Sequence, residues 1–204
     1  MIFFRRVVRG LQRRRMQRKY AAYDAFRDDM LRALPANSVG AEIGTWKGAY
    51  ARRMITICQP RELRLIDPYL FIDEYPDRWY GGLEAKSQAD MDEIFDKVKH
   101  EMEALAGDKT KVIFERGMSA DVLPQLADES LDWAYVDGNH SYEFVKQDIE
   151  GLIPKIKTGG LLMGDDLQWP SIERAVNKVL EEQSDKIVAV ELKHKYHQYI
   201  LRKL

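Results

Sequence analysis

The stretch LDWAYVDGNHSYEFVKQDIEGL, residues 131–152, decides the fold. Near its start, Trp133 to Val136 is an apolar run of aromatic, aliphatic and β-branched residues, the signature of a buried strand. A few residues on, the period changes. Val145, Ile149, Leu152 and Ile153 fall on one face of a helix running from Ser141 to about Ile156, at the spacing that covers a sheet. Ser141 stands at the N-cap position, and Glu143 lies in the first turn beside the positive end of the helix dipole. Between strand and helix stand Asp137, Gly138, Asn139 and His140, polar residues at the carboxyl end of an apolar strand.

The same alternation spreads in both directions. VGAEIG (39–44) reads as a first strand followed by a helix from about Lys47 to Cys58, ELRLID (62–67) as a second strand and KVIFERG (111–117) as a third. LDWAYVD (131–137) is then the fourth and GGLLMGDD (159–166) the fifth, with a helix over SIERAVNKVLEEQ (171–183). Strand alternating with helix predicts a parallel sheet. The closing segments IVAVEL (187–192) and YHQYILRKL (196–204), separated by a polar turn at Lys193 to Lys195, predict an antiparallel pair. An insertion at about 68–110 carries Phe71, Tyr75, Trp79 and Tyr80 early and an amphipathic helix from Met91 to Leu105 later.

A chain of 204 residues, 45% hydrophobic, predicts one domain, 38–204, behind a basic segment, 1–37. Its one cysteine, Cys58, excludes an internal disulfide and fits a reducing compartment. No stretch approaches the roughly 20 apolar residues that span a bilayer, which predicts a cytoplasmic protein. The net charge of −1 is unevenly spread. Met1 to Tyr20 holds seven arginines and one lysine without an acid, leaving the remainder acidic. Such a tract reads either as a contact for an anionic membrane surface or partner, or as a helix packed with its arginines in water. It also argues against DNA, and against an RNA groove lining the catalytic edge.

Ligands of open α/β sheets bind beyond the carboxyl ends of the strands. Glu42 and Gly44 end the first strand, Asp67 the second, Gly117 and Ser119 follow the third, Asp137 and His140 the fourth, and Asp165 and Asp166 the fifth. EIGTWKG (42–48) has Gly44 and Gly48 around its turn but Trp46 where a dinucleotide fingerprint needs its middle glycine, which disfavours nicotinamide cofactors. Asp67 is placed to accept from the hydroxyls of a ribose. Together these describe a nucleoside ligand without a diphosphate.

With these segments the chain resembles the class I S-adenosylmethionine-dependent methyltransferases, in the branch with a D-G-x-H-S-Y segment after the fourth strand; the likeness covers Ser38 to the C-terminus. EIGTWKG is similar to the first motif of that family and LRLIDPY (63–69) to the second. The resemblance implies a Rossmann-like methyltransferase fold of the α/β class: a seven-stranded, mostly parallel sheet with an antiparallel last strand and helices on both faces. It also implies that Glu42, Gly44, Thr45 and Gly48 surround the methionine portion of S-adenosylmethionine, that Asp67 holds the ribose, and that Gly117, Met118 and Ser119 flank the adenine. Asp137 joins this cofactor-binding set. Many relatives have an acid at the position of Met118, where a thioether can only pack against the ring.

Methyl transfer from a sulfonium is an in-line displacement, so the protein must position the acceptor and remove its proton. His140 and Asp137 are the catalytic candidates, since histidine titrates near neutrality. Asp137, Asp165 and Asp166 form a candidate metal set, suited to Mg²⁺ or another hard divalent cation that would acidify an acceptor hydroxyl. Catechol-type O-methyltransferases are similar in having acids after these two strands. The expected function is O-methylation of a small-molecule or sugar-like acceptor. The competing readings are a non-catalytic cofactor-fold module docked through residues 1–20 on a membrane or partner, and an RNA methyltransferase. A homo-oligomer stays open.

Overall fold

The computed structural model describes residues 20–72 and 84–204. The amphipathic reading of residues 1–19 and the insertion aromatics Tyr75, Trp79 and Tyr80 lie outside them. A helix over 20–32 (α1) precedes β1 (Val39–Ile43), α2 (Ala49–Arg53, continuing as a wider π-type turn through Met54–Cys58) and β2 (Glu62–Ile66). Then follow α3 (Gln88–Ala106), β3 (Lys111–Glu115), a short α4 (Ser119–Val122), β4 (Leu131–Val136), α5 (Tyr142–Leu152) and β5 (Ile156–Gly164). The chain closes with α6 (Pro170–Glu182), β6 (Ile187–Lys193) and β7 (Gln198–Lys203).

The seven strands form one sheet in the order β3-β2-β1-β4-β5-β7-β6, with β7 antiparallel to both neighbours and the remaining pairings parallel. This is the Rossmann-like methyltransferase arrangement expected from the sequence. Strand order reverses between β1 and β4, which opens a crevice at their carboxyl ends.

Alternation along the strands divides the core in two. Trp133 and Tyr135 of β4 face Leu31, Tyr50, Met54 and Met102 of α1, α2 and α3. Ala134 and Val136 face Val145, Ile149, Val176 and Val179 of α5 and α6. These near-continuous apolar strands are what a sheet covered on both sides requires. Helix α1 is part of this packing: Met30 and Leu31 are buried with the α2 and α3 side chains.

Two local expectations are corrected. Helix α5 stops at Leu152 rather than near Ile156, because Ile156 already pairs with Leu131 as the start of β5, and Pro154 intervenes. Ser141 is the N-cap residue, yet its side chain makes no capping bond. Its backbone N–H donates instead to Oδ1 of Asn139, a turn closed by the neighbouring amide.

Candidate active site

Backbone hydrogen bonds carry the ladder one residue past the strand ends. Gly44 N donates to Ile66 O at 2.9 Å, Asp137 N to Ile43 O at 2.8 Å, Asp165 N to Val136 O at 3.1 Å and Asp67 N to Glu115 O at 3.2 Å. Residues separated by up to 121 positions of sequence are thereby held at one rim. There a cavity of about 710 Å³ opens, a size that takes a nucleoside-bearing ligand. Glu42, Gly44, Thr45, Asp67, Gly117, Met118, Ser119, Asp137 and His140 all line it.

The first turn is shaped by close approach. Gly44 has φ of 87°, and a Cβ there would meet the carbonyl oxygen of Asp137 at 2.1 Å, so only glycine lets the chain leaving β1 pass this close to the end of β4. Trp46 also has a left-handed backbone, φ 47°, unfavourable for a bulky residue. It is held from both sides. Its N–H donates to Oδ2 of Asp67 at 2.8 Å, and its carbonyl accepts from the Tyr69 hydroxyl at 2.6 Å. The other oxygen of Asp67 accepts from Tyr69 N at 3.0 Å. Asp67 is thus a carboxylate whose two oxygens are each held by a backbone amide.

On the cavity floor Glu42 is 1% exposed, and its Oε2 has no hydrogen-bond partner. Burial pushes its pKa up to about 8, with the Arg27 guanidinium opposing. An unsatisfied buried carboxyl is costly unless a ligand completes it. A sulfonium compound with an amino acid tail brings a positive charge and N–H donors to this carboxyl, so the residues present fit S-adenosylmethionine. Gly48 is set back from the cavity. At φ 70° it starts α2 and lets that helix pack on Val98 and Met102 of α3.

At the mouth, Nε2 of His140 lies 3.1 Å from Oδ2 of Asp166, and the His140 ring is 5.5 Å from that of Trp169. Ser171 donates to the His140 carbonyl at 2.7 Å, which fixes the loop. Asp137, His140 and Asp166 each offer a ligand atom within 4.8 Å of the others. Asp165, expected beside them, is turned inward. Its Oδ1 accepts from Gln198 Nε2 and from Asp166 N, and its Oδ2 accepts from the Tyr23 hydroxyl. The carboxylate set Asp137, Asp165 and Asp166 therefore does not fit a shared metal ion, because the lone pairs of Asp165 are spoken for.

Two residues escape sequence reading. Arg27 of α1 lines the cavity and lies 3.5 Å from Asp137 and 3.3 Å from Asp165; no motif marks it, and it sits in the segment read as a basic appendage. Asp148 of α5, 2% exposed, accepts from Ser119 Oγ and also lines the cavity. Its signal is a carboxylate two turns into a helix, one residue before core Ile149. Of the early aromatics, Phe71 packs with Tyr69, Met91 and Trp46 rather than facing the mouth, where Ile72 and Trp169 stand.

A sequence profile described as a methyltransferase domain matches residues 41–167, more than half of the chain, and the chain belongs to that family. It is an S-adenosylmethionine-dependent methyltransferase. No curated protein sequence matches it significantly. Solved structures share the fold. The O-methyltransferase NovP is 17% identical with a TM-score of 0.58, covering 91% of this chain and 78% of that one. CalS11, a TDP-rhamnose 3′-O-methyltransferase of calicheamicin biosynthesis, is 20% identical with a TM-score of 0.52 over 93% and 80%. The N-methyltransferase NodS from Bradyrhizobium japonicum WM9, in complex with S-adenosyl-L-homocysteine, is 14% identical with a TM-score of 0.52 over 89% and 86%. Among the described residues no helix is long and apolar enough to cross a membrane.

Proposed function

We propose that the protein methylates a hydroxyl oxygen of a small, sugar-like or similarly hydroxylated acceptor, with His140 as general base. The observation that carries this reading is the His140–Asp166 pair at the mouth of the cofactor cavity, beside Asp137. When bound, S-adenosylmethionine supplies an electrophilic methyl group on sulfur. The chain's own residues have three tasks: to hold the nucleoside at the rim, to aim the acceptor oxygen in line, and to receive its proton.

In the neutral ring a hydrogen bond from His140 to Asp166 puts the proton on Nε2 and makes Nδ1 the basic nitrogen. Asp166 then stabilises the imidazolium formed during transfer, and Asp137 beside it accepts from a second hydroxyl of a sugar-like acceptor. Trp169 and Ile72 give the mouth apolar walls against which the carbon skeleton of an acceptor packs.

Nitrogen is the second reading, favoured by the likeness to NodS. A neutral amine is already nucleophilic, so a base paired with a carboxylate is needed more for oxygen. CalS11 and NovP, both O-methyltransferases, support oxygen as well. Calorimetry with S-adenosylhomocysteine, followed by turnover on a panel of nucleotide sugars, phenols and amines, tests the reading. Turnover of amines alone, or turnover unchanged in His140→Ala, would overturn it.

A further inference from the structure

We propose that Arg27 is the resident cation of the transfer site. Its guanidinium stands between Asp137 and Asp165 and neutralises them in place of a divalent ion, and the reaction runs without a bound metal. The inference rests on the methyltransferase reading of the same cavity and concerns how its carboxylates are neutralised.

Nη2 of Arg27 lies 3.5 Å from Asp137 Oδ2, and Nη1 lies 3.3 Å from Asp165 Oδ2. One planar cation thus bridges the ends of β4 and β5. The side chain is not a mobile surface arginine, being only 13% exposed. Its guanidinium carbon sits 3.7 Å from the centre of the Tyr50 ring, with the Tyr135 ring on a further side at 5.3 Å. Nη1 donates to the Tyr23 hydroxyl at 3.0 Å, and that hydroxyl in turn donates to Asp165. Helix α1 therefore delivers a charge locked by stacking and hydrogen bonding. Arginine suits this task because its charge is permanent and its fork is flat.

The carboxylates are arranged for this partner. Burial, and next the neighbouring Asp165, hold the Asp137 carboxyl well above the usual range, while Arg27 opposes both by favouring its charged form. Asp165 spends its remaining lone pairs on Gln198 and on its neighbour's amide, so a metal there would have to displace three existing donors. The other cluster, Asp137 with His140 and Asp166, has His140 already bonded to Asp166, and an ion on it would share Asp137 with the guanidinium. Like charges at such range repel strongly in a cavity wall. Arg27 acts through Asp137: it keeps that carboxylate aimed at the acceptor, which makes it a positioning residue.

Manganese binding tests this independently of any acceptor. Mn²⁺ is titrated into the full chain and its free signal followed by electron paramagnetic resonance, with S-adenosylhomocysteine affinity measured in parallel as the check on the cofactor site. The wild type is expected to leave Mn²⁺ free into the high-micromolar range. Arg27→Met, which keeps bulk over Tyr50 but removes the charge, should bind one Mn²⁺ at least tenfold more tightly, and adding Asp137→Asn should abolish that gain. Arg27→Lys should behave as the wild type. Tight Mn²⁺ binding by the wild type that is lost in Asp137→Asn overturns the proposal, even if Arg27→Met fails to fold. So does a folded Arg27→Met that binds no more Mn²⁺ than the wild type. Loss of S-adenosylhomocysteine binding in the wild type would instead strike the methyltransferase reading.

Discussion

Nε2 of His140 and Oδ2 of Asp166 lie 3.1 Å apart, although they leave different strands, β4 and β5. Asp166 reaches this position through a left-handed backbone, φ 60°, which aspartate and asparagine tolerate better than most residues. Asp166→Asn therefore keeps the turn and removes the charge. Turnover is expected to fall about tenfold or more in Asp166→Asn and roughly 10²–10⁴-fold in His140→Ala, the range for a general base. Affinity for S-adenosylhomocysteine should stay within about threefold in both, since neither side chain belongs to the ribose or floor contacts. A parallel loss of affinity would make the pair structural.

Asp67 fixes the strained Trp46 turn through a 2.8 Å bond, and in the proposed site the same carboxylate accepts from the ribose hydroxyls. Asp67→Asn retains one acceptor oxygen but faces an N–H pair toward one of the two backbone donors, Trp46 or Tyr69. Calorimetry should show S-adenosylhomocysteine affinity lower by roughly 10–100-fold, the cost of a charged hydrogen bond. Unfolding should also occur at lower temperature without ligand, because the left-handed Trp46 loses a restraint. Unchanged affinity would remove Asp67 from the ribose site.

Glu42 is expected to link cofactor binding to protons. Burial raises its pKa to about 8, so near pH 7 the empty floor is mostly protonated. A cationic ligand favours the carboxylate, hence binding at pH 7 should release close to one proton and tighten as pH rises, levelling off above about 8. Calorimetric enthalpies in buffers of different ionisation heat measure the release directly. Glu42→Gln should release none and bind with little pH dependence between 6 and 8. Equal proton release in the variant would assign the proton to another group.

The parallel sheet and the rim of strand-end residues were legible because both depend on short-range pattern: apolar runs of fixed length, and polar residues at their carboxyl ends. Asp67, Asp137 and His140 could be found this way. Arg27 could not, since its role depends on α1 folding back over β4, a long-range contact that no local period encodes. Gly48 was misleading for a related reason, as a turn glycine beside a motif packs a helix as readily as it admits a ligand. Asp165 shows a third limit. Its residue type and strand-end position suit a metal, but its hydrogen bonds to Tyr23 and Gln198 arise from segments 142 and 33 residues away.

Asp148 gives a stability prediction whose sign can be worked out. Burial on α5 pushes its pKa up to about 6, against the hydrogen bond it accepts from Ser119. The folded state thus binds its proton more tightly than the unfolded chain, whose aspartates titrate near 3.9. The stability this proton confers is fully present below about pH 4, declines as pH rises from there to about 6, and is absent above that. Asparagine keeps an oxygen for the Ser119 hydroxyl and never ionises. Asp148→Asn is therefore expected to be more stable than the wild type by about 3 kcal/mol at pH 8, with the advantage shrinking to about half a kcal/mol near pH 4. Urea unfolding at the two pH values measures the difference. A gain of the same size at both would mean that Asp148 does not titrate between them, and a loss at pH 8 would mean that its charge is held by a partner at the cavity wall.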